Sequence, residues 1–444
     1  MSMWLCYILP IHSISGQHLA TPFWYNAALT LIKPLYQSRI RKRAESPEQL
    51  QQELLERFGP FQTPKNKHAI WFHVVSVGET NAAQPLIEYY LKSGHPVLVT
   101  NTTKTGQARA KSLFLKEPYL NLFQAVYLPA DQKHLIQDFY QKYQPKLLLL
   151  METELWPNLI DQAKNYKVPC LLLNARLSEK SAQGYGKVKG LTRGMLNAMQ
   201  QLLAQDLGTQ QRYIDLGIET KKTQVLGNIK FDITAPQQFI ERASELKREW
   251  TLQGRKIITL ASTHAPEEQQ LMAELKAVLD TDPTLLCIVV PRHPERFDEV
   301  FQAAQALNLT TQRRSLEQKI EADTQIYLAD SMGEMWLWYA LSQVCYVGGS
   351  LNEPGGGHNI LEPIALNVPT ILGKNYFNFQ TIVDEFLEAQ AVEVVENAQQ
   401  AAMTLLKILN DSSKAESLNT AAQKIMQQNQ GSLAKHIAVI NQYL

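Results

Sequence analysis

From residue 69 onward the chain alternates two patterns of apolar and polar positions. Short runs are apolar on nearly every residue: AIWFHVV (69–75), PVLVTNT (96–102), AVYLPAD (125–131), KLLLLMETELW (146–156), VPCLLLNAR (168–176), LLAQ (202–205) and TQVLGNIKFD (223–232). Between them lie stretches with helical spacing, such as TNAAQPLIEYYLKSG, HLIQDFYQKY, GKVKGLTRGMLNAM and QRYIDLG. Strands apolar on both faces, each followed by a helix, predict a parallel sheet with helices on both sides. Ahead of them SPEQLQQELLERFG reads as a helix, with Ser46 as N-cap, Pro47 at the first helical position and Gly59 as its stop. After an amphipathic entry helix, PQQFIERASELKREW, the alternation resumes with KIITLAST (256–263), LLCIVV (285–290), QIYLAD (325–330), VCYV (344–347), VPTILG (368–373) and AVEVV (391–395). NAQQAAMTLLKIL and KHIAVINQYL read as closing helices. The reading is an α/β protein with an N-terminal segment 1–45, a Rossmann-like domain 46–232 and a second Rossmann-like domain 233–444, its last helix free to pack back on the first. No strong sequence repeat relates the two halves.

Open parallel sheets bind ligands outside the carboxyl ends of their strands, so polar residues there are the candidates. In the first half they are Glu79, the turn Thr102 to Gly106, Glu152 and Glu154, Asn174 with Arg176, and Lys230 with Asp232. A carboxylate directly after a strand suits a general base, and equally a charge partner for a helix N-terminus. The two roles conflict: a helix dipole lowers a carboxylate pKa, whereas a base working near neutrality needs a raised one. Burial or a second carboxylate such as Glu152 has to offset the dipole. Lys230 reads either as part of the site or as a surface lysine. In the second half the strand ends offer His264, Arg292, Met332-Gly333-Glu334 and the stretch CYVGGSLNEPGGGHNILEP from Cys345 to Pro363. That stretch reads as strand, glycine-rich turn, and a helix starting near His358 or Asn359. Its glycines let backbone N–H groups approach an anion. Arg292 suits a phosphate clamp, with a structural ion pair as the other reading. Nucleotide-binding groups concentrated in the second of two Rossmann-like units suggest a glycosyltransferase. No GxGxxG lies in a first strand-to-helix turn, which counts against NAD.

Composition narrows this further. A chain of 444 residues with 45% hydrophobic and 19% charged residues is an ordinary globular protein of two large domains. Lys and Arg number 43 against 42 Asp and Glu, so no global charge draws it to nucleic acid. Cys6, Cys170, Cys287 and Cys345 form no CxxC pair, and the last three sit in apolar runs and read as buried reduced thiols. HExxH, P-loop and EF-hand signatures are absent. MWLCYILPI lacks the flanks of a signal peptide, and no apolar run reaches the ~18 residues of a spanning helix. Residues 22–43 carry Phe23, Trp24 and Tyr25 at one end and Arg39, Arg41, Lys42 and Arg43 at the other. That distribution suits an interfacial segment on anionic lipid, or a core helix with a solvated basic end, with Pro34 expected to kink it.

The motifs SVGET (76–80), YLPAD (127–131), METELWPNL (151–159), NARLS (174–178), GNIKFD (227–232), STH (262–264), PRHPERF (291–297), DSMGEM (330–335) and VGGSLNEPGGGHNILEP (347–363) stand in this order. In them the chain resembles the 3-deoxy-D-manno-octulosonic acid (Kdo) transferases of lipopolysaccharide synthesis, over roughly residues 45 to 440. It departs from that pattern at Lys104, where a proline is expected, and in its longer, irregular first twenty residues. The resemblance implies a GT-B fold of two facing domains and transfer of Kdo from CMP-Kdo to a tetra-acylated lipid A precursor at the cytoplasmic face of the inner membrane. It implies Glu79 as proton acceptor, with Glu152 and Lys230 supporting the transition state. It further implies that Pro291, Arg292, Met332, Gly333, Glu334, Asn359, Ile360, Leu361 and Glu362 hold CMP. No metal or cofactor is expected, since a single phosphate can be met by Arg292 and backbone N–H groups. Two other readings stand beside this one. A soluble GT-B enzyme using a UDP-sugar would share the fold, and preferential stabilisation by UDP over CMP would favour it. A non-catalytic membrane-peripheral protein would bind CMP and transfer nothing.

Overall fold

The structure, a computed structural model, describes residues 21–444. MWLCYILPI and Cys6 lie outside the described residues. The chain divides into two compact units, one running to Asp232 and taking in Asn429–Leu444, the other spanning Ile233–Gln428.

The first unit is built on seven parallel strands: β1 (Ile70–His73), β2 (Val97–Asn101), β3 (Phe123–Tyr127), β4 (Leu147–Met151), β5 (Cys170–Ala175), β6 (Gln201–Ala204) and β7 (Thr223–Val225), in the order β3-β2-β1-β4-β5-β6-β7. The chain steps outward from β1 to β3, then returns to place β4 on the other side of β1, with Ile70 opposite both Val97 and Leu147. Segments leaving β1 and β4 therefore emerge at one crevice, the switch point of the sheet. Both faces are buried because alternate residues serve two separate helix layers. Trp71 packs with Phe139 and Tyr140 on one side, while Ile70 and Phe72 pack with Leu86, Ile87 and Tyr90 on the other. Each large side chain so buried contributes about 1.5–3 kcal/mol. The helix Ser432–Ile440 adds Val439 and Ile440 to the second layer.

The second unit has β8 (Lys256–Thr263), β9 (Leu285–Pro291), β10 (Thr311–Arg313), β11 (Ile326–Leu328), β12 (Val344–Val347), β13 (Thr370–Gly373) and β14 (Glu393–Val395), in the order β10-β11-β9-β8-β12-β13-β14. It too is all parallel, with its switch point between β8 and β12. Two Rossmann-like sheets are the domain pair of the GT-B class. Some elements differ from the sequence reading. The edge strand β10 was not expected, because its three residues are polar and only half-buried. Residues 186–199 do not form one helix; Glu179–Gly186 ends a first helix and Lys189–Ala198 forms a second. The helix Ser412–Asn429 was not anticipated, although Leu418, Ala422, Ile425 and Met426 bury a stripe at helical spacing between polar residues. The helix after the glycine-rich turn starts at Leu361 and is only five residues long. Pro34 leaves Phe23–Arg43 a continuous helix. Cys170, Cys287 and Cys345 are buried and unbridged.

One buried carboxylate fastens the strand ends of the second unit. Glu267 opens the helix that follows β8 and is 1% exposed. Its Oε1 accepts the N–H groups of Ser350 at 2.9 Å and Leu351 at 2.8 Å and the Tyr346 hydroxyl at 2.7 Å. Its Oε2 accepts the N–H groups of His264 at 2.9 Å and Gly349 at 2.8 Å. The loop lies so close that a Cβ on Gly348 would stand 2.7 Å from the Thr263 Cα and 2.8 Å from Glu267 Oε2. We expect Glu267→Gln, which turns an amide N–H₂ toward backbone donors, to destabilise the protein by at least about 1–3 kcal/mol in urea denaturation. Unchanged stability would mean that glycine packing and strand register alone hold this loop.

Candidate active site

In the first unit the crevice gathers carboxylates. The strand β1 ends at His73, and Ser76 caps the helix Val77–Lys92, placing Glu79 in its first turn. Glu79 Oε2 accepts the Val75 N–H at 2.8 Å, and the Ser76 hydroxyl lies 3.4 Å from Oε1. Burial first, then the charges of Glu154 and Glu152, hold the Glu79 pKa well above the ordinary carboxylate range, against the Val75 hydrogen bond and Lys230. The helix dipole is thus overridden, by burial together with two further carboxylates. Glu152 follows β4 with φ +58°, a left-handed conformation uncommon for a residue with a side chain. Its Oε1 pairs with Lys230 Nζ at 2.6 Å. Glu154 accepts the Trp156 Nε1–H at 2.7 Å, and burial raises its pKa to about 7 despite that bond, with Glu152 adding to the rise. Beneath them His73 Nε2 lies 3.9 Å from Glu154. Its Nδ1 meets the Thr100 carbonyl at 3.1 Å, and burial takes its pKa down to about 3.

Lys230 reaches Glu152 because its loop is tightly bound. Asn228 Oδ1 accepts the Lys230 N–H at 3.0 Å and caps a single 3₁₀ turn, Ile229–Phe231. Asn174, itself at φ +49°, donates Nδ2–H to Asn228 Oδ1 at 3.2 Å and accepts the Ile229 N–H at 3.0 Å. The Asn174 N–H donates in turn to His436 Nε2 at 3.2 Å, while His436 Nδ1 meets the Ser432 carbonyl at 2.8 Å. That arrangement requires a neutral ring with its proton on Nδ1, and burial holds the His436 pKa down to about 4. Lys104 occupies the first position of the helix Lys104–Phe114, where a backbone N–H needs no partner and proline would fit equally; its ammonium pairs with Glu45 at 2.7 Å.

The second unit gathers cations and imidazoles. Arg292, after β9, is exposed, and no ion pair among the described residues engages its side chain. His264 and His358 bring their Nε2 atoms to 2.8 Å and stack, with His293 edge-on to His264. Burial, then His264 and Arg292, lower the His358 pKa to about 4. Burial also lowers His264, with His293 and Arg292 adding to the effect against Glu267 and Glu268. Asn359 Oδ1 accepts the Leu361 N–H at 3.1 Å, and its amide donates to Glu362 Oε1 at 3.3 Å. Burial raises the Glu362 pKa despite the Asn359 bond. Ile360 and Leu361 turn their side chains into the interior, as does Pro291 at the end of β9. Their backbone is what they can offer a ligand. Met332 is exposed, and Gly333, at φ +84°, has open space beside it. The Glu334 carboxylate is already taken, by Arg314 at 2.7 and 3.0 Å and by the Ser331 hydroxyl. Burial would raise it, but those bonds hold it below the usual range. Within the glycine-rich stretch read from sequence as an anion site, the N–H groups of Gly349 and Ser350 are bound to Glu267.

With these two crevices described, the relatives become informative. Residues 52–233 match the family model described as 3-Deoxy-D-manno-octulosonic-acid transferase (kdotransferase), and residues 245–425 match Glycosyl transferases group 1. A 3-deoxy-D-manno-octulosonic acid transferase of Haemophilus influenzae is 36% identical over 428 residues, covering 95% of this chain and 98% of its own. The chain belongs to the Kdo transferase family. A second member, from Bordetella pertussis, is 34% identical over 358 residues, covering 80% of this chain and 82% of its own. The solved C-terminal CMP-Kdo binding domain of WaaA from Acinetobacter baumannii is 59% identical, with a TM-score of 0.43, covering 43% of this chain and 100% of that domain.

In this Kdo transferase the structure brings Glu79, Glu152 and Lys230 into one crevice of the first unit. Sequence reasoning named Glu154 among the strand-end residues but assigned it no role, and it passed over His73. The signal for both was present in the word METELW and in the last residue of β1. Two carboxylates at alternate positions after β4 address the same space. In the second unit we expect ¹⁵N NMR to find His358 neutral at pH 6 and protonating only near pH 4. A ring depressed from about 6.5 binds fewer protons folded than unfolded, so stability falls as pH drops through this window. Titration near 6.5 would mean that burial, Arg292 and His264 do not act on this ring.

Proposed function

We propose that this Kdo transferase carries Kdo from CMP-Kdo to a hydroxyl of a tetra-acylated lipid A precursor, by an inverting single displacement in which Glu79 takes the proton. The observation that carries the reading is Glu79 itself: a carboxylate at a sheet switch point whose pKa is raised by burial and by two neighbouring carboxylates. Such a group holds its proton more strongly than an ordinary Glu, which suits a base working near neutrality. In the reaction the acceptor oxygen bonds to the anomeric carbon as the bond from that carbon to the phosphate oxygen breaks. CMP leaves with the electron pair, and the acceptor proton passes to Glu79. Positive charge develops on the sugar ring, and Glu152 is positioned by Lys230 to meet it. On the donor side, Arg292 supplies an uncommitted guanidinium for the single phosphate, and Pro291, Met332, Gly333 and Asn359 to Leu361 offer mainly backbone. Glu362, held by Asn359, suits a sugar hydroxyl. Glu334 serves this site by fixing the turn Met332-Gly333 through Arg314.

The helix Phe23–Arg43 supports a membrane-peripheral enzyme on the cytoplasmic face of the inner membrane. It buries Tyr25 and Ile40, yet leaves Phe23 88%, Leu31 80% and Leu35 68% exposed, and ends in Arg41, Lys42 and Arg43. An apolar outer face followed by a basic end fits the interface of an anionic bilayer. No helix among the described residues is long and apolar enough to cross a membrane.

The test is transfer of Kdo from freshly made CMP-Kdo to the precursor, with CMP affinity measured alongside. Glu79→Gln is expected to lose about 10²–10⁴-fold in kcat with CMP affinity intact. Undiminished transfer by this variant removes Glu79 as base. A wild type that transfers nothing, or that is stabilised by UDP rather than CMP, removes the donor assignment. The pH profile adds an independent check. A base must be ionised, so activity falls as pH drops through its raised pKa. Glu154→Gln removes a charge that raises Glu79 and is expected to move the acid limb of kcat/KM down by about one pH unit. Lys230→Met removes a charge that lowers Glu79 and is expected to move it up. Shifts of the same sign in both variants would contradict the electrostatic account.

A further inference from the structure

One side chain away from Glu154 lies a cavity that the reaction above does not use. It measures ≈ 120 Å³, is walled mostly by carbon, and lies under the helix Phe23–Arg43. Leu29, Ile32 and Tyr36 of that helix form one wall, and Trp156, Leu191 and Met195 form the other. Interiors ordinarily pack without such gaps, and an apolar void costs stability. The helix does not collapse onto it because its N-terminal turn is fixed by polar bonds. Tyr25 donates its hydroxyl to Asp131 Oδ2 at 2.8 Å, and Asn26 Oδ1 accepts Asn158 Nδ2–H at 3.0 Å and the Lys133 N–H at 3.2 Å. Asp131 also receives the N–H groups of Asn158 and Leu159.

Two neighbours of the cavity say what fits it. One is the site: Trp156, in its wall, donates its indole N–H to Glu154 at 2.7 Å, so a single side chain separates the cavity from the carboxylate cluster. The other is the helix, whose inner residues line the cavity while Phe23, Leu31 and Leu35 face outward. A ligand reaching both needs a polar, sugar-bearing end at Glu79 and Glu154 and a flexible alkyl chain for the cavity. We propose that this cavity seats part of one acyl chain of the lipid acceptor while the acceptor's hydroxyl lies at Glu79. This inference rests on the lipid acceptor proposed above and names a subsite for it.

The experiment compares two acceptors, the tetra-acylated precursor and its fully deacylated sugar backbone, with wild type, Ile32→Phe, Met195→Phe and the exposed control Leu207→Phe. Binding of cis-parinaric acid, whose fluorescence rises in a water-free apolar site, is read separately in the absence of CMP-Kdo. Wild type is expected to take up the probe and to show a lower KM for the acylated acceptor. Filling the cavity from either wall should abolish probe binding and raise KM for the acylated acceptor at least about tenfold, leaving the deacylated acceptor unaffected. Leu207→Phe should match wild type in both readouts. Two cavity-filling variants on different elements separate loss of the subsite from misfolding, since both must still turn over the deacylated acceptor. Filled variants with unchanged KM for the acylated acceptor overturn the proposal, even where probe binding is lost, because the cavity then holds only free fatty acid. Equal KM for the two acceptors in wild type overturns it as well. Should wild type transfer to neither acceptor, the function proposed above fails. Probe binding retained in the filled variants then overturns the cavity as an alkyl site.

Discussion

Each of the two sheets ends its first strand in a loop and then starts a helix, and in both units a glutamate stands in the first turn of that helix. The two glutamates meet opposite fates. Glu267, after β8, accepts four backbone N–H groups and a tyrosine hydroxyl, so every lone pair that burial would strand has a donor. Glu79, after β1, accepts one backbone N–H at 2.8 Å and a distant serine hydroxyl, and faces two more carboxylates. A buried carboxylate that is fully satisfied is a fastener. One left short of donors beside like charges relieves its cost by holding a proton more strongly, which suits the base proposed for Glu79. The division of labour between the units follows from how many donors surround the same residue at the same topological position.

Charge is divided along the same line. The first crevice holds Glu79, Glu152 and Glu154 with one lysine. The second holds Arg292, His264, His293 and His358, and of the carboxylates near it Glu267, Glu268 and Glu334 are bound by their own partners while Glu362 is held by Asn359. A cationic crevice with most of its acids occupied suits a phosphate leaving group. An acidic crevice kept partly protonated suits proton transfer and a cationic transition state. Neither needs a global charge imbalance, and the chain has a net charge of only +1.

Much of this was legible in the sequence, for physical reasons that differ by residue. Runs such as LLLLM are apolar at every position, so the strands and their parallel pairing declared themselves, and strand ends located Glu79, Glu152, Arg292 and Lys230 without side-chain coordinates. Glu267 was invisible, because a glutamate after a proline at a helix start is ordinary N-terminal chemistry. Only the fold reveals that four amides of a loop 82 to 84 residues away, and of its own strand end, converge on it. The same bonds take the N–H groups of Gly349 and Ser350 out of the anion site read for this stretch, and Gly348 serves close packing against Thr263 and Glu267. The strand β10 was missed because three polar residues at a sheet edge carry no hydrophobic signal.

Lys230 shows how far precision can come from contacts that sequence spacing hides. The chain leaves the first unit after Asp232 and re-enters it at Asn429. These two passages are bonded to one another: Asp232 accepts the N–H groups of Gly431 at 3.2 Å and Leu433 at 2.8 Å, and Asn429 Oδ1 accepts the Asn228 N–H at 2.7 Å. A Cβ on Gly227, at φ +86°, would stand 3.3 Å from the Asn429 Cα, so the passages also touch in van der Waals contact. Lys230 rides on the outgoing passage, and Asn174, fixed by the neutral ring of His436, holds it from below. A flexible lysine stem would otherwise spend much of its time in solvent, at a cost of up to about 2 kcal/mol in rotamer entropy to hold it at Glu152. Anchoring its backbone through residues some 200 positions apart in sequence lowers the part of that cost that falls on the loop. It also makes the geometry of Glu152 and Lys230 depend on the chain's return to the first unit, so a change near Asn429 or His436 reaches the carboxylate cluster without touching it.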